Sequence, residues 1–553
     1  MSIKRRSIPP WLAYVQLACA VAAGALWYAF PGLGAWPLAI GLLPWAIRLA
    51  LTGWPAPRTP FDLPLVLFLA TAGLGVWSAY DRASAWPKFW LIAGGLLIFY
   101  ALAGSETVGP LRGWLLAFFG AGVALYFLVT NDWSGQPAKI EILSQVGRAL
   151  QARLPVLPGH RLHPNVAGGI MAMFTPFAGL MVVETVRRLW GRGRSRSGRA
   201  WLLLLLSLAL LVIAGTGLLM SASRGAWVAL GAAVLLGALW LLATGLSRGH
   251  PNRRLWILGI LLLGLVAAAF GAVYWLGGMS GLIEALPGPD TSLGRAVLLR
   301  DSLLLASDYP LIGAGLDGFM MLHASYALLI HVGFSVHSHN LFLDVAIEQG
   351  LGGLLALALM WLLFAVAVWR GLIRGQARLG NGLLAAATLS LIVLLVHGLV
   401  DDVLYGSRAV LLLFLPLALA VPYLRPETAP NWRRRLLVAA ACAAVVIVAG
   451  LVWWQPLRST AHANLAAVRQ SQAELSIYDW PEWVLQDEVR RAVDMSPSID
   501  GFEQALALNP RNASANRRLG QIELSLAEYE DALAHLETAY AIESWSSTTR
   551  QLL

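Results

Sequence analysis

Long apolar runs recur along this chain from Trp11 to Trp454, and they constrain its fold more than any other feature. A run of about 18 or more apolar residues is long enough to cross the hydrocarbon core of a bilayer as a helix. Inside hydrocarbon each backbone amide must be satisfied internally, which leaves only helices and closed barrels. Continuous rather than alternating apolar residues select the helix. The pattern predicts thirteen spans, at about 11–30, 35–51, 62–80, 85–103, 111–130, 166–186, 200–220, 225–246, 255–276, 341–370, 381–400, 408–424 and 436–455. The expected fold class is an all-α integral membrane protein. Composition agrees, with 58% of residues hydrophobic and only 13% charged, against about 25% charged in an ordinary globular domain. That balance excludes a soluble enzyme, a disordered chain and a secreted disulfide scaffold. Cys19 and Cys442 lie in separate apolar runs and are expected to be free thiols without redox or zinc chemistry.

The net charge of +10 reads as a topology signal rather than a nucleic-acid footprint, because arginine collects in alternate loops. With Lys4, Arg5 and Arg6 in the cytoplasm, the basic loops at 187–199, 248–254, 370–378 and 425–435 all fall on the inner side. The expected location is the inner membrane, multi-pass. Residues Met1–Pro10 feed directly into the first span with no small-residue cleavage site, so a cleaved signal peptide is not expected. Three long segments then project outward: 131–165, 277–340 and everything after Gln455. The short links at Ser221–Arg224 and Asp401-Asp402 face the same way. Two domains are predicted, a polytopic membrane domain at 1–456 and a polar extracytoplasmic helical tail at 457–553. Small and aromatic residues from Ala505 through Leu519-Gly520, Tyr529, Ala532 and Ala539-Tyr540 resemble a tetratricopeptide repeat near 500–545. A plain helical hairpin leaning on the membrane domain accounts for the same residues.

Ionisable residues at the edge of spans are costly and are therefore functional hypotheses. Arg224, in Ser221-Ala-Ser-Arg-Gly225, interrupts two apolar runs and can offer a guanidinium fork to a phosphate; snorkelling to the interface is the plainer role. Arg295 and Arg300 lie on a predicted surface helix over 296–306, five residues apart, with Asp301 an expected ion partner for one of them. His337-Ser338-His339-Asn340 stands at the mouth of a span, where imidazole can take a proton near neutral pH. Asp344 and Glu348 follow on one helical face, one turn below, placed to orient an imidazole. Asn165 is expected to cap its helix. Asp401, beside Asp402 and after His397, is expected to be hydrogen-bonded and structural. The histidines at 323, 331, 337 and 339 lack cysteine partners and helical His-x3-His spacing, so no metal is expected.

In these residues the chain resembles the O-antigen ligase and polymerase superfamily of membrane glycosyltransferases. His339-Asn340, nine residues, Gly350, two residues, Gly353 matches the ligase motif without a gap. Ser223-Arg224-Gly225 matches the family's turn between two spans. Gly294-Arg295 followed by Pro310 and Gly313-Ala-Gly315 matches a third feature, and Pro164-Asn165 a fourth. They occur in family order between roughly 160 and 405. The resemblance implies a GT-C-like membrane fold. It also implies a donor glycan on a polyprenyl diphosphate and transfer to a hydroxyl of lipid A–core or another glycan on the outer side. It implies no cofactor and no metal. His339 would then be the general base, and Arg224, Arg295 and Arg300 would bind the diphosphate. His337, Asn340, Asp344, Glu348, Asn165 and Asp401 would support them. Nearby arginines would keep the imidazole in its base form, and a single displacement would invert the anomeric centre.

The expected partners are the lipid-linked donor, a glycan acceptor, membrane lipid and a protein bound by the tail; nucleic acid is not among them. Alternative readings are a polymerase for O-antigen or exopolysaccharide, a protein O-oligosaccharyltransferase and, more distantly, a transporter of lipid-linked glycan. The transporter should show paired broken helices with polar residues near the midplane, whereas here the ionisable groups gather on one side.

Overall fold

The computed structural model describes residues 9–104, 109–133, 140–153, 160–190, 197–247, 250–275, 289–330, 333, 335–373, 382–424, 450, 452–477 and 486–553. Most of the expected thirteenth span, Cys442, His331 and the basic clusters at 4–6, 192–196, 374–378 and 425–435 lie outside these residues.

Among the described residues there are helices and turns and no strand. The first helices are α1 (Pro10–Ala29), α2 (Pro37–Thr52), α3 (Asp62–Ser78), α4 (Arg82–Gly104) and α5 (Gly109–Thr130). A short amphipathic helix, α6 (Glu141–Gln151), follows in the expected outer segment. Next come α7 (Pro164–Trp190), α8 (Gly198–Met220), α9 (Arg224–Leu246) and α10 (Pro251–Trp275). Helices α11 (Pro289–Asp308) and α12 (Phe319–Tyr326) lie in the long segment expected to face outward, called the outer loop for that expectation, ahead of α13 (Leu341–Val368) and α14 (Gly382–Gly398). Seven helices among the described residues are long and apolar enough to cross a membrane, and four shorter apolar helices pack among them. The chain is an all-α multi-pass membrane protein.

The expected twelfth span, 408–424, is not one helix. It is a 3-10 turn over Arg408–Leu412 followed by single turns at Leu415–Ala418 and Val421–Leu424. Pro416 and Pro422 each remove a backbone donor. The segment is buried along residues 409–421, and irregular backbone at membrane depth is tolerated where protein encloses it. Small residues let α4 seat this segment closely. A Cβ on Gly94 would stand 2.7 Å from the Leu411 side chain.

Helix α13 breaks at Gly350, whose φ of 66° lies in the left-handed region. The break exposes backbone groups that the outer loop then uses. Leu351 N donates to Pro310 O at 2.7 Å, and Ala314 N donates to Ile347 O at 2.6 Å. A Cβ on Gly350 would meet Leu311 O at 2.4 Å. The glycines of the sequence motifs therefore mark where the outer loop docks on a kinked span.

The tail is helical: α15 (Trp454–Leu475), α16 (Gln486–Ala492), α17 (Ser496–Leu508), α18 (Ala513–Leu526), α19 (Tyr529–Ile542) and α20 (Ser547–Leu552). Helices α18 and α19 form an antiparallel pair in which a Cβ on Gly520 would lie 2.9 Å from the Leu536 side chain. The tail shares one apolar cluster with the outer loop: Leu298, Leu305, Tyr309 and Phe319 pack with Ala466, Phe502, Leu519 and Ile522. The tail therefore packs on this loop.

Candidate active site

The site is built where the N-terminal ends of α7, α9 and α13 meet the C-terminal end of α14. Ser223 caps α9, its side chain accepting from Ala226 N, after Ala222 turns through a φ of 48°. This puts Arg224 at the first helical position, exposed at the rim. Asn340 caps α13 by accepting from Phe342 N and Leu343 N. Its amide also donates to Leu399 O at 3.2 Å, tying α13 to the end of α14. His339, held at a φ of 55° just before that cap, is thereby fixed beside the turn that carries Asp401. A non-glycine residue at positive φ stores strain and is characteristic of functional sites.

The His339 Nδ1 and the Asp401 Oδ1 lie 2.7 Å apart. The other oxygen of Asp401 accepts from Asn165 Nδ2 at 2.6 Å. His339 is 32% exposed and Asp401 only 4%. Burial alone would raise the Asp401 carboxyl. The hydrogen bond from His339, with the nearby charges of His339, His337 and His397, outweighs it and holds Asp401 below the ordinary carboxylate range. An ionised Asp401 can only accept, so whenever His339 is neutral its proton sits on Nδ1 and Nε2 keeps its lone pair. That is the tautomer a general base needs.

Asn165 is not the expected cap. It sits inside the first turn of α7 with its amide turned to Asp401, and its own backbone N–H donates to His163 Nδ1. Asp401 is hydrogen-bonded as expected, and one of its two partners is His339. His337 stacks edge-on to His339, ring centroids 4.4 Å apart, and its Nδ1 accepts from His339 N. Burial lowers its pKa below the ordinary histidine value, against the charge of Asp344.

His397 lies beneath this group, fully buried. Gly169 and Gly225 close over its ring, where added Cβ atoms would lie 2.7 and 2.9 Å from it. The charge of Arg295 on α11 also reaches His397. Gly225, next to Arg224, packs on His397, and the charge of Arg295 reaches the same ring. Arg300 is exposed on α11 and touches none of these groups among the described residues. Asp301 pairs with neither arginine; it faces His323 Nε2 at 3.3 Å on the other side of α11.

The two carboxylates of α13 part company. Asp344 accepts from Ser338 N at 2.8 Å and hydrogen-bonds Asp402. Burial and then the Asp344 charge raise the Asp402 carboxyl well above its ordinary value, so it keeps its proton and can donate. Glu348 turns away from the histidines to Lys88 Nζ, 2.7 Å off, and accepts from Asp317 N. The kink at Gly350 and the docked loop give it this second environment. Sequence reasoning missed Lys88 and Asp317. The signal for Lys88 was a lone lysine at the start of the apolar run of α4. An apolar hollow of about 450 Å³ lined by Trp45, Trp54, Arg58 and Tyr100 lies at the opposite end of α3 and is no part of this site.

Residues 209–358 match a family model described as O-Antigen ligase. The matched segment contains Arg224, Arg295, His339 and both motif glycines of α13, whereas Asn165 and Asp401 fall on either side of it. The likeness to O-antigen ligases extends over this segment of the chain. No curated protein matches the chain.

Proposed function

We propose that this protein transfers a glycan from a polyprenyl diphosphate to an acceptor hydroxyl on the outer side of the inner membrane, without a cofactor. The observation that carries the proposal is the Asn165–Asp401–His339 chain, which holds His339 by Nδ1 and leaves Nε2 for the acceptor. The acceptor hydroxyl gives its proton to His339 Nε2 while its oxygen attacks the anomeric carbon. The bond from that carbon to the diphosphate breaks, and the electron pair leaves with the diphosphate. One displacement inverts the anomeric centre. Arg224 and Arg295 meet the charge gathering on the leaving group, and guanidinium forks do so more strongly where lipid and protein exclude water. Asp401 fixes the tautomer and stabilises the imidazolium as it forms, the role of the carboxylate in a Ser-His-Asp triad.

The test is incubation of purified protein with a lipid-linked oligosaccharide and candidate acceptors, followed by mass analysis of whatever carries the glycan. Transfer by the wild type and a loss of about 100-fold or more in His339→Ala is expected, the scale of general-base catalysis. Near-normal turnover by that variant overturns the assignment. Product length separates the acceptors: one preformed chain moved marks a ligase, and a ladder of longer lipid-linked chains marks a polymerase.

A further inference from the structure

His337 joins His339 and Asp401, the two groups given to proton transfer above, in a cluster that the transfer reaction does not need as a whole. One ligand atom from each lies within 4.8 Å of the others. A tetrahedral first-row metal with bonds of about 2.1 Å needs its ligands about 3.4 Å apart, so binding requires the His339–Asp401 hydrogen bond of 2.7 Å to open and the three groups to rearrange by about an ångström. Two imidazoles and a carboxylate suit Zn²⁺, whereas Mg²⁺ and Ca²⁺ prefer all-oxygen sites. Three protein ligands leave a fourth position for water. The outer oxygen of Asp401 stays bonded to Asn165, the supporting contact that orients a ligating carboxylate. The carboxylates of Asp344 and Asp401 lie within electrostatic reach of His337 and work against the positive charge of Lys88 there.

We propose that His337, His339 and Asp401 form an inhibitory Zn²⁺ site, in which the metal occupies the imidazole that otherwise acts as the base. A neutral imidazole has a single basic lone pair. If the metal takes Nε2, that pair is consumed. If it takes Nδ1, the proton moves to Nε2 and the atom facing the acceptor becomes a donor. Metal binding and base catalysis exclude each other in both cases. The inhibitory role rests on His339 being the base; the binding site does not.

The test uses full-length protein in nanodiscs, stripped with a chelator and checked for transfer before zinc is added. Expected are one Zn²⁺ per chain by calorimetry and elemental analysis, and inhibition at micromolar Zn²⁺. EDTA should reverse the inhibition, and Mg²⁺ should not cause it. His337→Gln should raise the zinc concentration for half-inhibition at least tenfold, comparable with the loss of a supporting partner at other metal sites, whatever its turnover without metal. Co²⁺ in place of zinc should give visible bands in the wild type that His337→Gln alters. Failure of the wild type to hold zinc overturns the proposal, and so does equal zinc sensitivity in His337→Gln. Stoichiometric zinc with undiminished transfer overturns the inhibitory role. Metal-free protein with no transfer activity counts against the proposed function alone, and the binding and Co²⁺ measurements still decide the site.

Discussion

At the scale of single residues, Asp401 has the most consequence. It is buried, ionised, and joined on one side to Asn165 and on the other to His339. Asp401→Asn keeps the size of the side chain but lets its amide donate toward His339, which favours the wrong tautomer. A fall in kcat of about 10³–10⁴ is expected, as for the corresponding change in a serine protease triad, with little change in donor binding. Rate measurements at saturating donor check it; a loss under tenfold would show that Asp401 does not set the tautomer. Arg295→Lys keeps the charge and loses the fork. A large fall in transfer is expected, and full activity would show that charge alone matters. The sequence pointed to His339 and Arg224 because each belongs to a motif at a span mouth, and to Arg295 because it belongs to a motif on a surface helix. It could not reveal the work of Asn165 and Asp401. They stand 236 positions apart, and each has a plausible local role, a helix cap or a turn, that satisfies its side chain on paper. Only the closure of α7 over α14, permitted by Gly169, brings them together.

At the scale of elements, the kink of α13 organises the outer loop. Gly350 combines a left-handed φ with 2.4 Å from a hypothetical Cβ to Leu311 O. Gly350→Ala should therefore cost at least the 1–3 kcal/mol typical of such backbone strain, seen as a lower melting temperature in detergent. Unchanged stability would mean that the loop docks more loosely than the structure shows. The spacing of this glycine after His339-Asn340 was readable in the sequence, but its reason was not, because periodicity showed one unbroken apolar run. The segment 408–424 misled in the same way. Its composition is that of a span, yet its prolines and its burial against α4 yield short turns, and hydropathy does not distinguish a lipid-facing helix from an enclosed irregular segment. Helices α1 to α5, by contrast, lie close to where the apolar runs placed them, because in hydrocarbon the backbone has few alternatives.

At the scale of the whole molecule, the tail is tied to the helix that carries Arg295. Asp308, the last residue of α11, is bound by Arg517 and by the Ser514 hydroxyl, and Arg518 stacks over Tyr326 at 3.5 Å. These groups are buried, and without Arg517 the Asp308 carboxylate keeps only the Ser514 hydroxyl and Arg518 at 3.8 Å. Arg517→Ala should cost about 1–3 kcal/mol locally and make the outer loop sensitive to limited proteolysis. Protection equal to wild type would show that the apolar cluster alone holds the tail. Composition marked the tail as a separate polar domain, and it carried no sign that its arginines would be buried against the loop. The tail is tied to α11 through these contacts.

The central claim is that His339 performs the proton transfer and the arginines hold the donor. It is tested most directly by measuring, on one preparation of His339→Gln in nanodiscs, both donor binding and single-turnover transfer. Donor affinity within about threefold of wild type, with transfer reduced by about 100-fold or more, is the predicted result. Transfer at the wild-type rate, or a loss explained wholly by failure to bind the donor, contradicts it.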